Sequence, residues 1–282
     1  MVKAFRPLTL QEALEIRSLK NTIVFAGGSD IMVRYRTWCG TVADFPEDVI
    51  FIGHLEELQG ISLDGNTIKI GASATFTQIL EDKRIPFYIK LPVSQIGSPS
   101  IRNIGTIGGN ICNSSPAGNT LPMLYALDAK VTVVSKNSTY TIGINDFITG
   151  PGENILKQGE ILKQITIPIG DYNRFYYRKV GQGRSNTISK TSFFALAKTD
   201  DTEIREVKIA FGAVAPTVVR NPESESYLKS ISKKELPDAV DKIKEQHENL
   251  INPIDDLRST KEYRKNVSLR MLKDFVLNEL TK

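Results

Sequence analysis

The chain has 282 residues and a mass of 31.4 kDa, enough for one large domain or two ordinary ones. Its composition, 40% hydrophobic and 24% charged, is that of an ordinary folded protein, and a formal charge of only +4 gives no indication of a nucleic-acid partner. Two cysteines and two histidines are too few for a disulfide framework, an iron–sulfur cluster or a histidine-rich metal site, so no metal-binding residue is predicted.

The N-terminal sequence, MVKAFRPLTLQEALEIRSLK, lacks the uninterrupted apolar core of a signal peptide. No apolar run in the chain approaches the roughly 18 residues that a membrane helix needs. We therefore expect a cytoplasmic protein without a membrane span.

Helix and strand signals are mixed through the first 170 residues. Thr9-Leu-Gln-Glu12 predicts a capping box that opens a helix to about Leu19, and the run TIVFAGG predicts a strand that enters a glycine turn. Ser29 stands where it would cap a helix over IMVRYR. Later segments predict a hairpin around Asp64-Gly65-Asn66, a second capping box at Thr75-Phe-Thr-Gln78 opening a helix to Leu80, a helix in LPMLYALDA, paired strands in KVTVVS and TYTIGI, and a strand in EILKQITIP.

The pattern changes beyond Pro168. Three strand-like runs, RFYYRKV, KTSFFALAK and REVKIAFGAVA, are followed by helices and no further strand. One helix covers about residues 234–249, and Ser259-Thr-Lys-Glu262 predicts the cap of another, whose apolar stripe extends to Leu280. We therefore place a domain boundary near Gly170, between a mixed α/β domain and a smaller domain of a sheet with helices.

Two segments combine adjacent glycines with small hydroxyl residues. The first glycine loop, Val24–Ile31, follows a strand-like run and has the sequence VFAGGSDI. A backbone without side chains lets N–H groups converge on a diphosphate, and glycine permits the positive φ angles that this requires. The alternative is a plain tight turn, because neither GxGxxG nor a loop ending in Gly-Lys-Ser/Thr is present.

The second glycine loop, Gly105–Asn119, has the sequence GTIGGNICNSSPAGN and no charge. Around it, residues 97–119 carry a single charge, Arg102, where the chain average predicts five or six. Structureless segments of this length are uncommon unless they are functional. The amides and hydroxyls need partners, so the segment either packs on itself or wraps a polar ligand. Cys112 within it is expected to be a packing residue.

At these motifs the chain resembles one family. AGGSDI, IKIGASATFTQI, IRNIGTIGGNICNSSPAGNTLPMLYALDAKV, IAFGAVAPTVVR and DDLRSTKEYRKNVSLRML are similar to the FAD-binding medium subunit of molybdenum hydroxylases, the family of xanthine, carbon monoxide and nicotinate dehydrogenases. The resemblance implies an α+β fold. A two-lobed FAD-binding domain of the vanillyl-alcohol-oxidase (PCMH) type would cover residues 1–170, with lobes of about 1–58 and 59–170. A C-terminal domain of a three-stranded antiparallel sheet plus helices would cover residues 171–282.

The resemblance also implies where FAD binds: extended between the lobes, with both glycine loops at its diphosphate. It gives this chain no catalytic residue and no metal ligand. Lys179 corresponds to a lysine near the flavin in the family, although without the resemblance a solvated strand lysine is the simpler interpretation. The implied cofactor-binding residues are Val24, Phe25, Ala26, Gly27, Gly28, Ser29, Asp30, Ile31, Ile96, Thr106, Ile107, Gly108, Gly109, Asn110, Ser115, Asn119, Leu162 and Lys179.

Two positions depart from the family pattern. Asn119 stands where the family usually has aspartate, and Thr187-Ile188-Ser189 stands where the pattern is nearer Asp-Ile-Ala. An asparagine still donates and accepts hydrogen bonds but carries no charge, so a change in flavin affinity or redox potential is expected. Asp30 is expected to point away from the diphosphate, toward a helix N-terminus, because two negative charges repel each other.

The resemblance implies a three-part enzyme. A molybdopterin subunit oxidises an organic substrate and determines its specificity, a [2Fe-2S] subunit relays the electrons, and FAD in this chain passes them to NAD⁺ or another acceptor. The expected assembly is a dimer of heterotrimers. Two alternatives stay open: a self-contained flavin-dependent oxidase or dehydrogenase of the same domain type, and a non-catalytic structural subunit that has lost its flavin. No nucleophile or general-base constellation is evident in the sequence, which fits chemistry done by a cofactor.

Overall fold

The computed structural model of the chain describes residues 2–38, 40–183 and 186–282. The chain divides into two compact units of three segments each. Unit 1 consists of Met1–Ile85, Gly97–Ser114 and Ala129–Ile167, and unit 2 consists of Pro86–Ile96, Ser115–Asp128 and Pro168–Lys282. The polypeptide therefore contributes to each unit from separate parts of the sequence.

Strands and helices occur in both units. The strands are β1 Ala4–Phe5, β2 Thr22–Phe25, β3 Asp48–Phe51, β4 Ile61–Asp64, β5 Thr67–Gly71, β6 Lys130–Val134, β7 Thr139–Gly143, β8 Ile148–Gly150, β9 Glu153–Asn154, β10 Ile161–Pro168, β11 Arg174–Val180, β12 Thr191–Thr199, β13 Ile204–Gly212 and β14 Val219–Arg220. The helices are α1 Leu10–Leu19, α2 Ile31–Arg34, α3 Phe76–Glu81, α4 Phe87–Ser94, α5 Pro99–Ile104, α6 Ile107–Cys112, α7 Leu121–Ala126, α8 Ile144–Phe147, α9 Pro222–Ser230, α10 Leu236–Glu248 and α11 Lys261–Asp274, which continues as a π-helical turn, Phe275–Glu279.

The strands form four sheets. A parallel three-stranded sheet has the order β1-β3-β2, and a five-stranded sheet has the order β4-β5-β10-β6-β7. A third sheet, antiparallel throughout, has the order β11-β12-β13-β14, and β8 pairs with β9 in a short ribbon. The first glycine loop begins with the last two residues of β2, Val24 and Phe25.

Local signals account for several of these elements. Thr9 caps α1, because its hydroxyl accepts a hydrogen bond from the amide of Glu12, and Thr75 and Gln78 form a complete capping box at the start of α3. The hairpin of β4 and β5 turns at Gly65, whose φ of +55° favours glycine. The predicted paired strands β6 and β7 and the predicted strand β10 are also present.

Four expectations differ from the structure. Asp30, not Ser29, occupies the N-cap position of α2, and its side chain makes no capping hydrogen bond. Thr260, not Ser259, caps α11. The C-terminal sheet has a fourth strand, β14, which is too short at two residues to give a sequence signal. Residues 97–119 are not a structureless loop, because they contain α5 and α6.

Unit 2 is built around the third sheet. One face of the sheet, with Phe193 and Phe211, packs in a single core with side chains of α9, α10 and α11 and the π-helical turn. Helix α7 packs on β12 and β13. Salt bridges join Asp128, just beyond α7, to Lys208 in β13 at 2.9 Å and to Arg220 in β14. The segment Ser115–Asp128 is thus held within unit 2 by both packing and charge.

Candidate functional site

The start of the second glycine loop lies against the first glycine loop in unit 1. A Cβ atom on Gly27 would lie 1.8 Å from the carbonyl oxygen of Ile104, the last residue of α5. Ordinary contacts of this kind begin at 3.4 Å, so only glycine fits. The close approach places the first glycine loop beside Gly105, where the second glycine loop begins.

The first glycine loop presents a run of backbone donors. Within the described part of the chain, no oxygen atom accepts a hydrogen bond from the amides of Gly27, Gly28, Ser29, Asp30 or Ile31. Gly28 has a φ of +73°, the left-handed conformation that turns successive N–H groups toward one side. These residues are partly or fully exposed, so the donors are accessible to a ligand. Such an arrangement suits an anion with several oxygen atoms.

The residues around this run are held firmly. The ring of Phe25 packs on Phe51 with ring centroids 4.8 Å apart, and a Cβ on Gly28 would lie 2.3 Å from the Phe25 ring. Asp30 is largely exposed and lies 3.8 Å from the guanidinium of Arg34. Arg34 also donates to the side-chain oxygen of Asn113 at 2.7 Å, which ties α2 to the end of α6.

The second glycine loop uses its amides differently. Thr106 is buried and caps α6, because its hydroxyl accepts a hydrogen bond from the amide of Gly109 at 3.1 Å. The amides of Ile107 and Gly108 donate to the carbonyl groups of Ala74 and Ala72. A Cβ on Gly108 would lie 2.6 Å from the Ala72 carbonyl oxygen, so this glycine is required for packing beside β5. Much of the loop's polarity is therefore satisfied within the protein.

A second group of implied residues lies in unit 2. The backbone carbonyl of Gln95, just before Ile96, accepts hydrogen bonds from the ammonium of Lys179 at 3.1 Å and from the side-chain amide of Asn119 at 3.0 Å. Asn119 in turn accepts a hydrogen bond from the hydroxyl of Ser189 at 3.1 Å. Burial lowers the pKa of Lys179. Lys179 is thus a half-buried cation in a polar network, not a solvated strand lysine.

The implied residues are divided between the units. Unit 1 contains Val24–Ile31, Thr106–Asn110 and Leu162, and unit 2 contains Ile96, Ser115, Asn119 and Lys179. Leu162 is a buried residue of β10 that pairs with Val133 of β6.

The sequence interpretation missed Gln95 and Ile104, which act through backbone carbonyl groups. A carbonyl is present in every residue, so no side-chain pattern could have identified either position. The contact between Arg34 and Asn113 was also missed, since it joins residues 79 positions apart.

Cys112, at the end of α6, is partly buried. Burial raises the pKa of its thiol to about 12, with the nearby guanidinium of Arg17 acting in the opposite direction. A neutral thiol of this kind is a poor nucleophile and a poor metal ligand. Across the described residues, no group of three His, Cys, Asp or Glu side chains is placed to hold a metal ion, and no helix has the length and apolar character needed to span a membrane.

Comparisons with known proteins agree with these features. The family model of the FAD-binding domain in molybdopterin dehydrogenase matches residues 1–170, and that of the CO dehydrogenase flavoprotein C-terminal domain matches residues 176–278. The chain is 34% identical over 211 residues to the nicotinate dehydrogenase FAD-subunit of Eubacterium barkeri, which covers 71% of this chain and 70% of the relative. It is 31% identical over 268 residues to the glyceraldehyde dehydrogenase medium chain of Sulfolobus acidocaldarius, with 93% and 92% covered.

The fold is also that of a solved structure. Carbon monoxide dehydrogenase from Hydrogenophaga pseudoflava superimposes with a TM-score of 0.87 at 22% identity, covering 99% of this chain and 96% of that chain. The mixed helix and sheet fold, an FAD-binding domain followed by a C-terminal domain, is therefore confirmed at this level. The chain belongs to the family of FAD-binding flavoprotein subunits of molybdenum hydroxylases, as its motifs predicted.

Proposed function

We propose that this chain binds FAD through the first glycine loop and serves as the electron-transfer flavoprotein of a three-part molybdenum enzyme. It would receive electrons from a [2Fe-2S] partner subunit and deliver them to NAD⁺ or another acceptor. The observation that carries the proposal is the run of five backbone amides, Gly27 to Ile31, without an acceptor among the described residues.

The residues present fit a diphosphate. Its oxygen atoms accept several hydrogen bonds at once, and Gly27 and Gly28 leave no side chain to block their approach. In the second glycine loop Thr106 and Gly108 support α6, so their contribution is to hold the first loop in place. FAD, when bound, would supply the redox chemistry by accepting and releasing electrons.

The chain's own groups would position the cofactor and adjust its electrostatic surroundings. Lys179 supplies a half-buried positive charge, and Asn119 and Ser189 supply neutral hydrogen-bonding groups beside it. Neither histidine belongs to these groups. His54 contacts the carbonyl of Pro7, and His247 contacts the carbonyl of Ile243 in α10. In this proposal the chain holds the cofactor in place and provides a positive charge near it, and none of its side chains acts as a general acid or base.

We further propose the two-lobed vanillyl-alcohol-oxidase-type arrangement, with lobes of about residues 1–58 and 59–170, and a C-terminal domain over 171–282. The separation of the parallel sheet from the five-stranded sheet along the sequence supports the lobes. The two family models, which meet between residues 170 and 176, support the C-terminal boundary. Partner subunits carrying [2Fe-2S] and molybdopterin, in a dimer of heterotrimers in the cytoplasm, complete the proposal.

The test uses the full chain, purified and incubated with FAD, followed by removal of free FAD, a visible spectrum and anaerobic addition of NADH. We expect a bound-flavin spectrum that NADH bleaches. Failure to retain FAD would contradict the proposal and favour a structural subunit. Retained FAD that NADH leaves oxidised would exclude NAD⁺ as the acceptor. Oxidation of an organic substrate by the isolated chain would instead favour a self-contained oxidase.

A matched pair of variants locates the binding site. Gly28→Ala and Gly152→Ala both place a side chain at a positive φ, +73° and +77°, with backbone strain of about 1 kcal/mol each. In Gly28→Ala the added Cβ would also lie 2.3 Å from the Phe25 ring, so urea unfolding of both FAD-free variants is measured alongside binding. Gly152 has open space around its added Cβ and lies outside the glycine loops. Loss of FAD binding in Gly28→Ala alone supports the site, and equal binding in both variants contradicts it.

A further inference from the structure

The carbonyl oxygen of Gln95 is hydrogen-bonded to two of the implied cofactor-binding residues of unit 2, Lys179 and Asn119. It accepts hydrogen bonds from Lys179 Nζ at 3.1 Å and from Asn119 Nδ2 at 3.0 Å. Because both nitrogen atoms lie about 3 Å from one oxygen atom, they are no more than about 6 Å apart. The Asn119 side chain and the Lys179 ammonium are therefore close enough for a charge on one to act on the other.

The side chain of Asn119 uses both ends of its amide. A carbonyl only accepts hydrogen bonds, so the amide nitrogen must face Gln95, and the amide oxygen accepts from Ser189 at 3.1 Å. Asn119 and Ser189 are both buried, with Ser189 fully enclosed. An aspartate at position 119 would have no donor for the Gln95 carbonyl. The asparagine thus supplies a donor that an aspartate would lack.

This hydrogen bond connects the two departures from the family pattern. The family resemblance implies aspartate at position 119 and alanine at position 189, where this chain has Asn119 and Ser189. In this chain the hydroxyl of Ser189 donates to the oxygen of Asn119. The two changes therefore form one structural unit, in which a neutral amide held by a hydroxyl replaces a carboxylate.

Lys179 has no counter-ion in this network. Among the described residues, no carboxylate lies within salt-bridge distance of its ammonium, and its hydrogen bond is to an uncharged carbonyl. Burial disfavours the charged form, which is why its pKa is lowered. A carboxylate at position 119 would reverse this effect, since an opposite charge within about 6 Å favours the ammonium form.

We propose that Asn119 is a positioning residue that, held by Ser189, fixes the Gln95 carbonyl and the Lys179 ammonium, and that its neutrality leaves the charge of Lys179 uncompensated for the flavin. The part of this proposal that concerns the flavin rests on the proposed function. The coupling between Asn119 and Lys179 is a property of the chain itself and is measurable without FAD.

The first experiment measures competitive acetylation of Lys179 in the FAD-free chain as a function of pH, by mass spectrometry of peptides, with the exposed Lys229 as internal reference. In Asn119→Asp, the Lys179 profile shifts to higher pH, and its acetylation at pH 8 falls at least about threefold relative to the wild type. Asn137→Asp, the same change in an exposed hairpin turn, leaves the Lys179 profile unchanged. An unchanged profile in Asn119→Asp overturns the proposal.

A second variant keeps the proposal testable if Asn119→Asp does not fold. The double change Asn119→Asp with Ser189→Ala gives these two positions the residues that the family resemblance implies. The same shift of the Lys179 profile is expected, and its absence overturns the proposal. Asn119→Ala removes the amide without adding a charge, so its shift should be smaller than that of Asn119→Asp. Equal shifts in these two variants would contradict the electrostatic argument.

The flavin part is tested by the reduction potential of FAD bound to the full chain. Negative charge added beside Lys179 disfavours the more negative reduced flavin, so Asn119→Asp lowers the potential and Asn137→Asp does not. A potential unchanged by Asn119→Asp overturns this part. If the wild-type chain binds no FAD, the proposed function fails, while the acetylation profiles still decide whether Asn119 and Lys179 are coupled.

Discussion

The contact between Gly27 and Ile104 gives the sharpest test of the proposed site. In Gly27→Ala the new Cβ would lie 1.8 Å from the Ile104 carbonyl oxygen, where at least 3.4 Å is normal. The two glycine loops must therefore move apart by more than about 1.5 Å. Overpacking of this kind costs about 1–3 kcal/mol, which most proteins survive in the folded state.

The same displacement would shift the amide run away from the FAD that we propose it binds. Loss of one hydrogen bond to a charged group is worth about 1.5–3 kcal/mol, so FAD affinity should fall about tenfold to a hundredfold. Urea unfolding of the FAD-free chain measures the stability term, and titration of FAD fluorescence measures the affinity. Both quantities should change in Gly27→Ala.

Gly183→Ala is the control, because among the described residues beyond its chain neighbours the atom nearest to its added Cβ is Thr187 Cγ2, at an ordinary 3.5 Å. It should behave like the wild type in both assays. If Gly27→Ala unfolds at the wild-type urea concentration and binds FAD with wild-type affinity, the close contact of the two loops is wrong. If stability falls and affinity does not, the loops touch but the amide run does not hold FAD.

Three further predictions concern the packing around the site and in unit 2. Burial lowers the pKa of His247 below its ordinary 6.5, so the unfolded chain binds a proton at a higher pH than the folded chain. The free energy of unfolding should therefore fall as the pH drops below about 6.5. His247→Gln should remove this pH dependence of the unfolding free energy, measured by urea titration. Arg220→Met leaves the buried carboxylate of Glu225 without its cation and should destabilise the chain by about 3 kcal/mol, whereas adding Glu225→Gln should recover much of that loss. Thr106→Val removes the hydroxyl that caps Gly109 and should cost about 1 kcal/mol in thermal unfolding, with an unchanged melting temperature contradicting the assignment.

Elements with strong local signals were predicted well from the sequence. The helices after Thr9 and Thr75 begin at capping hydroxyls, and the hairpin at Gly65 has the turn residues that its backbone needs. Helices α5 and α6 were missed. Adjacent glycines disfavour a helix locally, and α6 forms because tertiary bonds to Ala72 and Ala74 hold its first turn.

Of the candidate site, too, one part was visible in the sequence and another was not. The bare backbone of the first glycine loop is visible in the sequence and indicated either a diphosphate site or a tight turn; the diphosphate site stays a prediction. The role of Asn119 was not predictable, since it depends on Gln95 and Ser189, which are 24 and 70 positions away. The lack of charge in residues 97–119 was not by itself a sign of a ligand. Part of this segment is uncharged because it packs inside the protein, as the buried Thr106 shows.

Segments of the two units alternate along the sequence, and this limits which parts of the gene can be exchanged with a relative. Ser115–Asp128 lies within the first family model, yet it belongs to unit 2, where Asp128 pairs with Lys208 and Arg220. A gene truncated after residue 170 would encode unit 1 in full, but of unit 2 it would encode only Pro86–Ile96, Ser115–Asp128 and the first residues of the third segment. Recombination that exchanged only the C-terminal domain with a relative would have to match the surface that residues 115–128 present. The two domains are therefore expected to be inherited together.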